Sequence, residues 1–229
     1  MFETNKDRRM LKIIVVGATG TIGRAVSDLL ARDHKVIRVG NRQGDFTVDL
    51  RSKASIEKLF KTVGIVDGVV CTAGVMRFGK VSEVSDTDFI DCINNKLLWQ
   101  INLVRIAIRH LRPKGFITLT SGMLAREPLP STVPAATVNA ALEGFVRAAA
   151  LDVEKGIRIN AVSPIFINIT ARKMGLTDVG TMTKADAAKA YLVIAEGEMT
   201  GQILDAREYG DVEFRKLETA DWWGLINVA

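Results

Sequence analysis

The stretch that most constrains the fold of this chain joins an apolar run to a glycine-rich turn and then to a helical pattern. Residues 11–16 read LKIIVV, residues 17–23 read GATGTIG, and residues 24–30 carry apolar side chains at helical spacing. A buried strand that leads through such a turn into a helix directs backbone N–H groups and the positive end of the helix dipole at one point. We therefore expect a phosphate group to bind there.

Each glycine of this turn has its own predicted role. Gly17 permits the tight turn, Gly20 lets the backbone approach a pyrophosphate, and Gly23 lets the helix pack against the strand. The spacing is G-x-x-G-x-x-G, not the common G-x-G-x-x-G, and similar turns also occur with nothing bound. Its place between a strand and a helix favours a dinucleotide site, formed by Gly17, Thr19, Gly20, Thr21, Ile22 and Gly23.

A polar turn after the second expected strand indicates which dinucleotide is bound. Residues 35–39 read as a strand, Asn41 and Arg42 follow it, and no Asp or Glu stands at the strand's end. In dinucleotide-binding folds an acid here bonds the ribose 2′-hydroxyl of NAD, whereas an arginine pairs with the 2′-phosphate of NADP. We expect NADP(H) in preference to NAD(H); the alternative is that Arg42 is a solvated loop residue.

Strand and helix patterns alternate along the rest of the chain. We expect strands over residues 46–48, 66–71, 116–120, 157–162 and 202–205, and helices over residues 52–62, 86–111, 135–151 and 184–196. This alternation predicts an α/β fold with a Rossmann-like, doubly wound parallel sheet. A chain of this length builds one core, so we expect a single domain over residues 1–229, with its ligand site at the carboxyl ends of the strands.

Apolar stripes on two of these helices have two interpretations. Residues 93–108 and 138–149 carry apolar side chains three or four positions apart, which is typical of a core face or a subunit interface. We expect a homo-oligomer, either a dimer or a tetramer, assembled through these helices.

Composition argues against several function classes. The net charge of +5 is spread along the chain, without a basic run interleaved with aromatic residues, so nucleic acid is not an expected partner. There is neither an apolar leader nor a stretch of about 18 apolar residues, which favours a cytoplasmic protein without membrane contact. Two cysteines without a C-x-x-C pair and two histidines offer little for a metal site, and we expect none.

The motifs, taken in order, resemble those of the short-chain dehydrogenase/reductase family over residues 12–205. The matches are GATGTIG at the cofactor turn, CTAG at residues 71–74, INNK at 93–96, TSG at 120–122 and RINAVSP at 158–164. The resemblance implies hydride transfer between the nicotinamide of NAD(P) and the carbonyl or alcohol carbon of a small-molecule substrate.

The same resemblance implies roles for individual residues. Ser121 corresponds to the family's catalytic serine, and Asn94 to its helix asparagine. A strand that ends in small residues also suits a wall for the cofactor's ribose. Besides the turn and Arg42, the expected cofactor contacts are Asn41, Asp49, Leu50, Thr72, Ala73, Gly74, Asn139, Pro164 and Ile167.

The chain departs from the family at the Tyr-x-x-x-Lys pair that moves the proton. Alignment through the flanking motifs places Ala135 and Asn139 at these positions, and neither Tyr191 nor Tyr209 has a lysine four residues on. Three interpretations stay open. The protein is a reductase with another proton source, such as water, the substrate or a loop group; it uses the pocket for other chemistry; or it binds NADP(H) without turnover, as a sensor or partner subunit.

Two further stretches lie near or beyond the expected site. Arg126 and Glu127 follow Ser121 on a loop, where we expect solvated charges before a proton-handling role. Residues 207–229 form a tail that departs from the family and carries Trp222 and Trp223, which either dock over the pocket or onto a neighbouring subunit, or belong to a disordered extension.

Overall fold

The computed structural model describes residues 9–168 and 181–210 of the chain. Its strands are β1 (Lys12–Val16), β2 (Lys35–Gly40), β3 (Phe46–Thr47), β4 (Val66–Cys71), β5 (Leu111–Thr120), β6 (Arg158–Ser163) and β7 (Ile203–Asp205). They form one seven-stranded sheet in the order β3-β2-β1-β4-β5-β6-β7, in which every neighbouring pair is parallel. The expected α/β fold with a doubly wound parallel sheet is confirmed.

Helices cover both faces of this sheet. They are α1 (Thr21–Leu30), α2 (Lys53–Val63), α3 (Asp86–Cys92), a π-helical segment (Ile93–Leu98), α4 (Trp99–Ala107), α5 (Val133–Asp152) and α6 (Lys184–Glu196). Alternate residues of β1 point into two separate cores: Ile14 packs with α2, α4 and α5, whereas Ile13 packs with α1 and α6. A central strand buried on both faces explains why residues 11–16 are almost continuously apolar.

The strand order places the ligand site. After β1 the chain moves to β2 on one side and later returns to β4 on the other, so a crevice opens between β1 and β4 at their carboxyl ends. The turn after β1 and the residues after β4 meet there, where the Thr72 N–H donates to the Val16 carbonyl at 2.9 Å.

One expected helix is wrong in part. The pattern over residues 86–111 predicts a continuous helix, but the α-helical hydrogen bonding gives way to the π-helical segment and ends by His110, and β5 begins at Leu111. Leu111 pairs with Val66 of β4, so the strand starts five residues before the expected residue 116. Apolar spacing does not distinguish i→i+4 from i→i+5 hydrogen bonding, and strand pairing is a tertiary contact.

Two expectations, the docking of the tail and the extent of the single domain, involve residues that the structure does not describe. Trp222 and Trp223 lie outside the described residues, so their docking stays a prediction. The same holds for the extent of the single domain. None of the helices within residues 9–168 and 181–210 combines the length and apolarity needed to cross a bilayer.

Substitution of Gly23 tests the packing of α1 against the turn. A Cβ at Gly23 would overlap the Gly17 carbonyl and crowd the Thr72 hydroxyl, so we expect Gly23→Ala to lower the free energy of unfolding by about 1–3 kcal/mol. Urea unfolding followed by circular dichroism measures it. Gly144→Ala is the matched control, because an exposed helix position with open space around its Cβ should gain about 0.5–1 kcal/mol. Equal effects of the two substitutions would contradict the packing described here.

Candidate active site

Two adjoining cavities lie along the carboxyl ends of the strands. We call the cavity of about 580 Å³ the outer cavity and that of about 400 Å³ the inner cavity. Both are lined by Thr72, Ala73 and Gly74, the three residues that follow β4. The two cavities therefore form one cleft across the crevice between β1 and β4.

Most of the residues expected at the site line this cleft. The outer cavity is lined by Gly17, Thr19, Gly20, Asn41, Arg42, Asp49 and Leu50. The inner cavity is lined by Ile22, Ser121, Asn139, Pro164 and Ile167. Three expected residues line neither cavity: Thr21, Gly23 and Asn94.

The turn between β1 and α1 is shaped for close approach of an anion. Gly17 adopts φ +85°, and a Cβ there would lie 2.8 Å from the Ala73 nitrogen, so only glycine fits. The helix begins after Gly20 with no side-chain cap and no acidic residue in its first turn, whereas the Ser52 side chain caps α2. The first N–H groups of α1 have no acceptor within the helix, and an anion at this point would satisfy them.

The adenosine side of the outer cavity carries charges of both signs. Asp49 is held by Arg51, whose Nε and Nη2 donate to its two carboxylate oxygens at 2.9 Å each. These bonds lower the pKa of Asp49 and balance its charge. Arg42 is exposed at the rim, and no carboxylate of the described residues lies within ion-pair distance of its guanidinium. Its charge is thus available to a ligand.

Asn139 presents an unsatisfied oxygen in the inner cavity. The residue is 2% exposed, and its Oδ1 has no hydrogen-bond partner among the described residues. Gly122 makes room for it, because a Cβ there would lie 2.8 Å from the Asn139 Nδ2. Buried polar atoms nearly always have partners, so this oxygen has the capacity to accept a hydrogen bond from a ligand in the cavity.

Ser121 belongs to a buried polar cluster that the sequence analysis missed. Its hydroxyl donates to Glu143 Oε1 at 3.3 Å, and Glu143 is 3% exposed. The second oxygen of Glu143 accepts from Arg126 at 3.2 Å and from Arg147 at 3.1 Å. Two guanidinium groups thereby balance the buried carboxylate. The position of Glu143, one helical turn after Asn139, was the available signal.

The loop charges after Ser121 are engaged in ion pairs. Arg126 binds Glu143, as described above, and Glu127 accepts from Arg207 at 2.6 Å. Both side chains are partly exposed, as expected for solvated loop charges, and each also has an ion-pair partner from a distant part of the chain.

The π-helical segment brings Lys96, not Asn94, to the inner cavity. Asn94 is exposed, so the catalytic role expected for it has no geometric support. Lys96 is buried, lines the inner cavity and donates from Nζ to the Ser121 carbonyl at 2.9 Å. Burial lowers the pKa of Lys96 to about 8. The INNK motif at residues 93–96 contains this lysine, but the π-helical geometry determines which of the four side chains points towards the cavity.

A tyrosine does lie beneath the cavity, but behind a threonine. The Tyr191 hydroxyl is 2.7 Å from Thr120 Oγ1, which donates to the Cys71 carbonyl at 2.7 Å. Thr120 lines the inner cavity, whereas Tyr191 is fully buried and does not. Burial raises the pKa of Tyr191 far above its ordinary value. Ala135, at the position aligned with the family's tyrosine, is also buried outside the cavity lining.

The chain contains two buried thiols, Cys71 and Cys92, which stand apart from any cluster of metal ligands in the described residues. Cys71 and Cys92 are both free, and burial raises the pKa of Cys71 to about 12. Among residues 9–168 and 181–210, no group of three or more His, Cys, Asp or Glu side chains could hold a metal ion.

The buried charge of Lys96 predicts a pH-dependent stability. The folded chain releases this proton near pH 8, whereas the unfolded chain keeps it to about pH 10.5. Between these values the unfolded state binds more protons, so wild-type stability gains up to about 3 kcal/mol as the pH rises. Lys96→Met should therefore stabilise the protein most, relative to wild type, below pH 8, and progressively less above it.

Urea unfolding over a pH series measures this difference. Lys58→Met, at an exposed position of α2, is the control for loss of a lysine at the surface. A Lys96→Met difference that stays constant over the whole range would contradict a buried, charged Lys96.

Comparison with known proteins identifies the family. A family model described as Enoyl-(Acyl carrier protein) reductase matches residues 13–199. Hydroxynaphthalene reductase arp2 of Aspergillus fumigatus is 31% identical over 123 residues, which are 53% of this chain but only 45% of that protein. NADPH-dependent pterin aldehyde reductase of Arabidopsis thaliana is 27% identical over 180 residues, 68% of this chain and 74% of that protein.

Solved structures agree with these matches. The protein lin1944 from Listeria innocua is 35% identical with a TM-score of 0.82, covering 86% of this chain and 99% of that one. A small-chain dehydrogenase in complex with NADPH is 28% identical with a TM-score of 0.76, covering 86% and 96%. On the motifs, the parallel sheet and a match that spans most of the chain, the protein belongs to the short-chain dehydrogenase/reductase family.

Proposed function

We propose that this protein is an NADP(H)-dependent oxidoreductase that reduces the carbonyl group of a small molecule, or oxidises the corresponding alcohol. The observation that carries the proposal is the single cleft in which an uncapped helix start and Arg42 lie at one end, and Ser121, Asn139 and Lys96 at the other. An anion-binding end joined to a partly apolar end with a few polar groups is the arrangement that a nicotinamide dinucleotide requires.

The residues present fit the phosphate end of this cofactor. The turn from Gly17 to Gly23 would hold the pyrophosphate, and Asn41 and Arg42 the 2′-phosphate of NADP. Asp49 and Leu50 lie where the adenosine would rest. One relative is named as NADPH-dependent, and one similar structure contains NADPH, which supports NADP(H) over NAD(H).

The inner cavity fits the nicotinamide end. Thr72, Ala73 and Gly74 would support the ribose, and Pro164 and Ile167 the nicotinamide ring. The unpaired Asn139 Oδ1 would accept a hydrogen bond from a ribose hydroxyl or from the carboxamide, and this supports the fit of the cofactor. When bound, the cofactor supplies the hydride.

The substrate end of the inner cavity is mostly apolar. Met76, Phe78, Leu124 and Phe166 line it beside Ser121. The hydrogen bond of Ser121 to Glu143 is long at 3.3 Å, so the hydroxyl can turn towards a substrate oxygen. We therefore propose an apolar carbonyl compound as the substrate class.

A second candidate is a protein that binds NADP(H) without turnover. The observation that favours it is the burial of Ala135 outside the cavity lining, together with the position of Tyr191 behind Thr120. Neither residue can reach a substrate oxygen directly. The two candidates differ in whether any other group of the inner cavity delivers a proton.

Surface features support the proposal of a homo-oligomer, a dimer or tetramer. Ile90 and Leu98, on α3 and the π-helical segment, are exposed apolar side chains, and so is Leu151 on α5. They lie on the helices through which we expect an interface, apart from the buried stripe residues that pack in the core. The free thiols of Cys71 and Cys92 fit the proposed reducing, cytoplasmic setting.

Substitution of Arg42 tests the cofactor preference. An arginine–phosphate contact is worth about 1.5–3 kcal/mol, so we expect Arg42→Ala to weaken NADPH binding by about 10- to 100-fold and to leave NADH binding unchanged. Fluorescence titration with both cofactors measures the ratio. Arg105→Ala, at an exposed position of α4, is the control. An unchanged NADPH/NADH affinity ratio would show that Arg42 does not contact the 2′-phosphate.

Substitution of Ser121 distinguishes the enzyme from the silent protein. With NADPH and a panel of aldehydes, cyclic ketones and quinones, we expect wild-type oxidation of NADPH on some member, and a loss of about 10²-fold in Ser121→Ala, because a hydrogen-bond donor to the substrate oxygen is removed. NADPH absorbance follows the reaction, and Ser82→Ala, on an exposed loop, is the control. Tight NADPH binding without turnover on any substrate would favour the silent protein.

A further inference from the structure

A family member without the tyrosine needs another source for the proton that completes carbonyl reduction. We propose that Lys96 is this proton donor, acting from the π-helical wall of the inner cavity. The inference rests on the proposed function, because it assigns a role in the same reaction. The sequence left water, the substrate and a loop group as possible proton sources, and we assign the role to the side chain of Lys96 instead.

The lining of the inner cavity singles out Lys96. Of its described lining residues, Lys96 alone carries a charged side chain. Its Nζ has one acceptor, the Ser121 carbonyl at 2.9 Å, and an ammonium group has three N–H donors. No carboxylate of the described residues lies within ion-pair distance of it. A buried, unpaired charge is costly in a folded protein, which is the pattern of a functional group more than of a structural one.

The other polar groups of the cavity are poorer donors. The Ser121 hydroxyl can donate a hydrogen bond to a substrate oxygen, but an aliphatic hydroxyl does not release its proton near neutral pH, and Asn139 has no titratable proton. Tyr191 reaches the cavity only through Thr120, whose own hydroxyl donates to the Cys71 carbonyl. Cys71 is not among the lining residues. Only Lys96 combines a labile proton with a place in the lining.

The surroundings of Lys96 make it an effective acid near neutral pH. The titratable groups that face it are Cys71 at the end of β4 and Cys92 at the end of α3, and burial raises the pKa of both thiols, so they are neutral at pH 7. Burial lowers the pKa of Lys96 itself to about 8. An acid is most effective when its pKa lies near the working pH.

The proposed step balances with NADPH as the reductant. A hydride leaves the nicotinamide C4 of NADPH and forms the new C–H bond at the carbonyl carbon, while the C=O π electrons move to oxygen. That oxygen takes a proton from the Lys96 ammonium, so the products are the alcohol, NADP⁺ and a neutral lysine. Water then returns the proton to Lys96.

The position of Lys96 also explains how the cavity can carry Asn139 where the family has a lysine. In the resemblance, the family's lysine lies on the α5 side of the pocket, at the position of Asn139. Here a cation comes instead from the π-helical segment, and its stem packs on Gly74, where a Cβ would lie 2.9 Å from the Lys96 Cγ. The cavity thus keeps one positive charge, carried by a different wall.

The test compares Lys96→Met with wild type on two substrates of the panel. Reduction of a ketone produces a strongly basic alkoxide and needs the acid, whereas reduction of a quinone produces a far less basic phenolate. We expect Lys96→Met to lower kcat/KM for the ketone by about 10²- to 10³-fold and for the quinone by less than about 10-fold. Lys58→Met, exposed on α2, is the matched control and should behave as wild type.

The pH dependence provides an independent readout. The wild-type kcat/KM for the ketone should fall as the pH rises through about 8, because the donating form of Lys96 is lost, and this fall should be missing in Lys96→Met. NADPH binding, measured by fluorescence, should be within about threefold of wild type. If Lys96→Met does not fold by circular dichroism, Lys96→Arg takes its place, because a guanidinium keeps the charge but does not release its proton.

Each outcome decides one of the two proposals. A selective loss on the ketone with a flat pH profile supports Lys96 as the donor. Equal rates for variant and wild type, or an equal loss on both substrates with weaker NADPH binding, overturn the role of Lys96 and leave the oxidoreductase in place. Wild-type protein that binds NADPH but reduces neither substrate overturns the proposed function, and the role of Lys96 with it.

Discussion

The β1–α1 turn packs directly against the residues that follow β4, and both cavities depend on this contact. The Thr72 hydroxyl donates to the carbonyls of Val16 and Gly17 at 3.2 and 3.3 Å, and Gly23 lies against the Gly17 carbonyl with no room for a Cβ. These contacts fix the start of α1 relative to residues 72–74, which line the inner cavity. A shift of this turn would move the linings of the outer and the inner cavity together.

The two buried charged side chains near Ser121, Glu143 and Lys96, have different kinds of partner. Glu143 forms ion pairs with Arg126 and Arg147, and none of these three side chains lines the inner cavity. Lys96 has the Ser121 carbonyl but no carboxylate of the described residues, and burial weakens its hold on the proton. The paired charge accepts a long hydrogen bond from the Ser121 hydroxyl, whereas the unpaired one keeps a labile proton at the wall of the inner cavity.

Much of the fold could be predicted from local pattern, and part of the site as well. The alternation of apolar runs with helical spacing was sufficient for the parallel sheet, and glycine and small-residue positions indicated most of the outer cavity. Asn94 shows where this approach fails. The motif identified the right segment, but a helix with an extra residue per turn directs Lys96 inward, and no spacing rule for α-helices anticipates that. The role of Glu143 was not predicted for a related reason, since its partners Arg126 and Ser121 are distant in sequence.

By itself the sequence determined the strand, glycine turn and helix at the start of the fold, the alternation of strands and helices, and the absence of a Tyr-x-x-x-Lys spacing from residues 1–229, because each is a matter of residue type at a local spacing. Only the tertiary structure decided that Tyr191 stands behind Thr120, that Asn139 keeps an unpaired oxygen, and that Lys96 enters the cavity. Burial and hydrogen-bond partners arise when segments far apart in the chain come together, and they determine which polar groups are free to act.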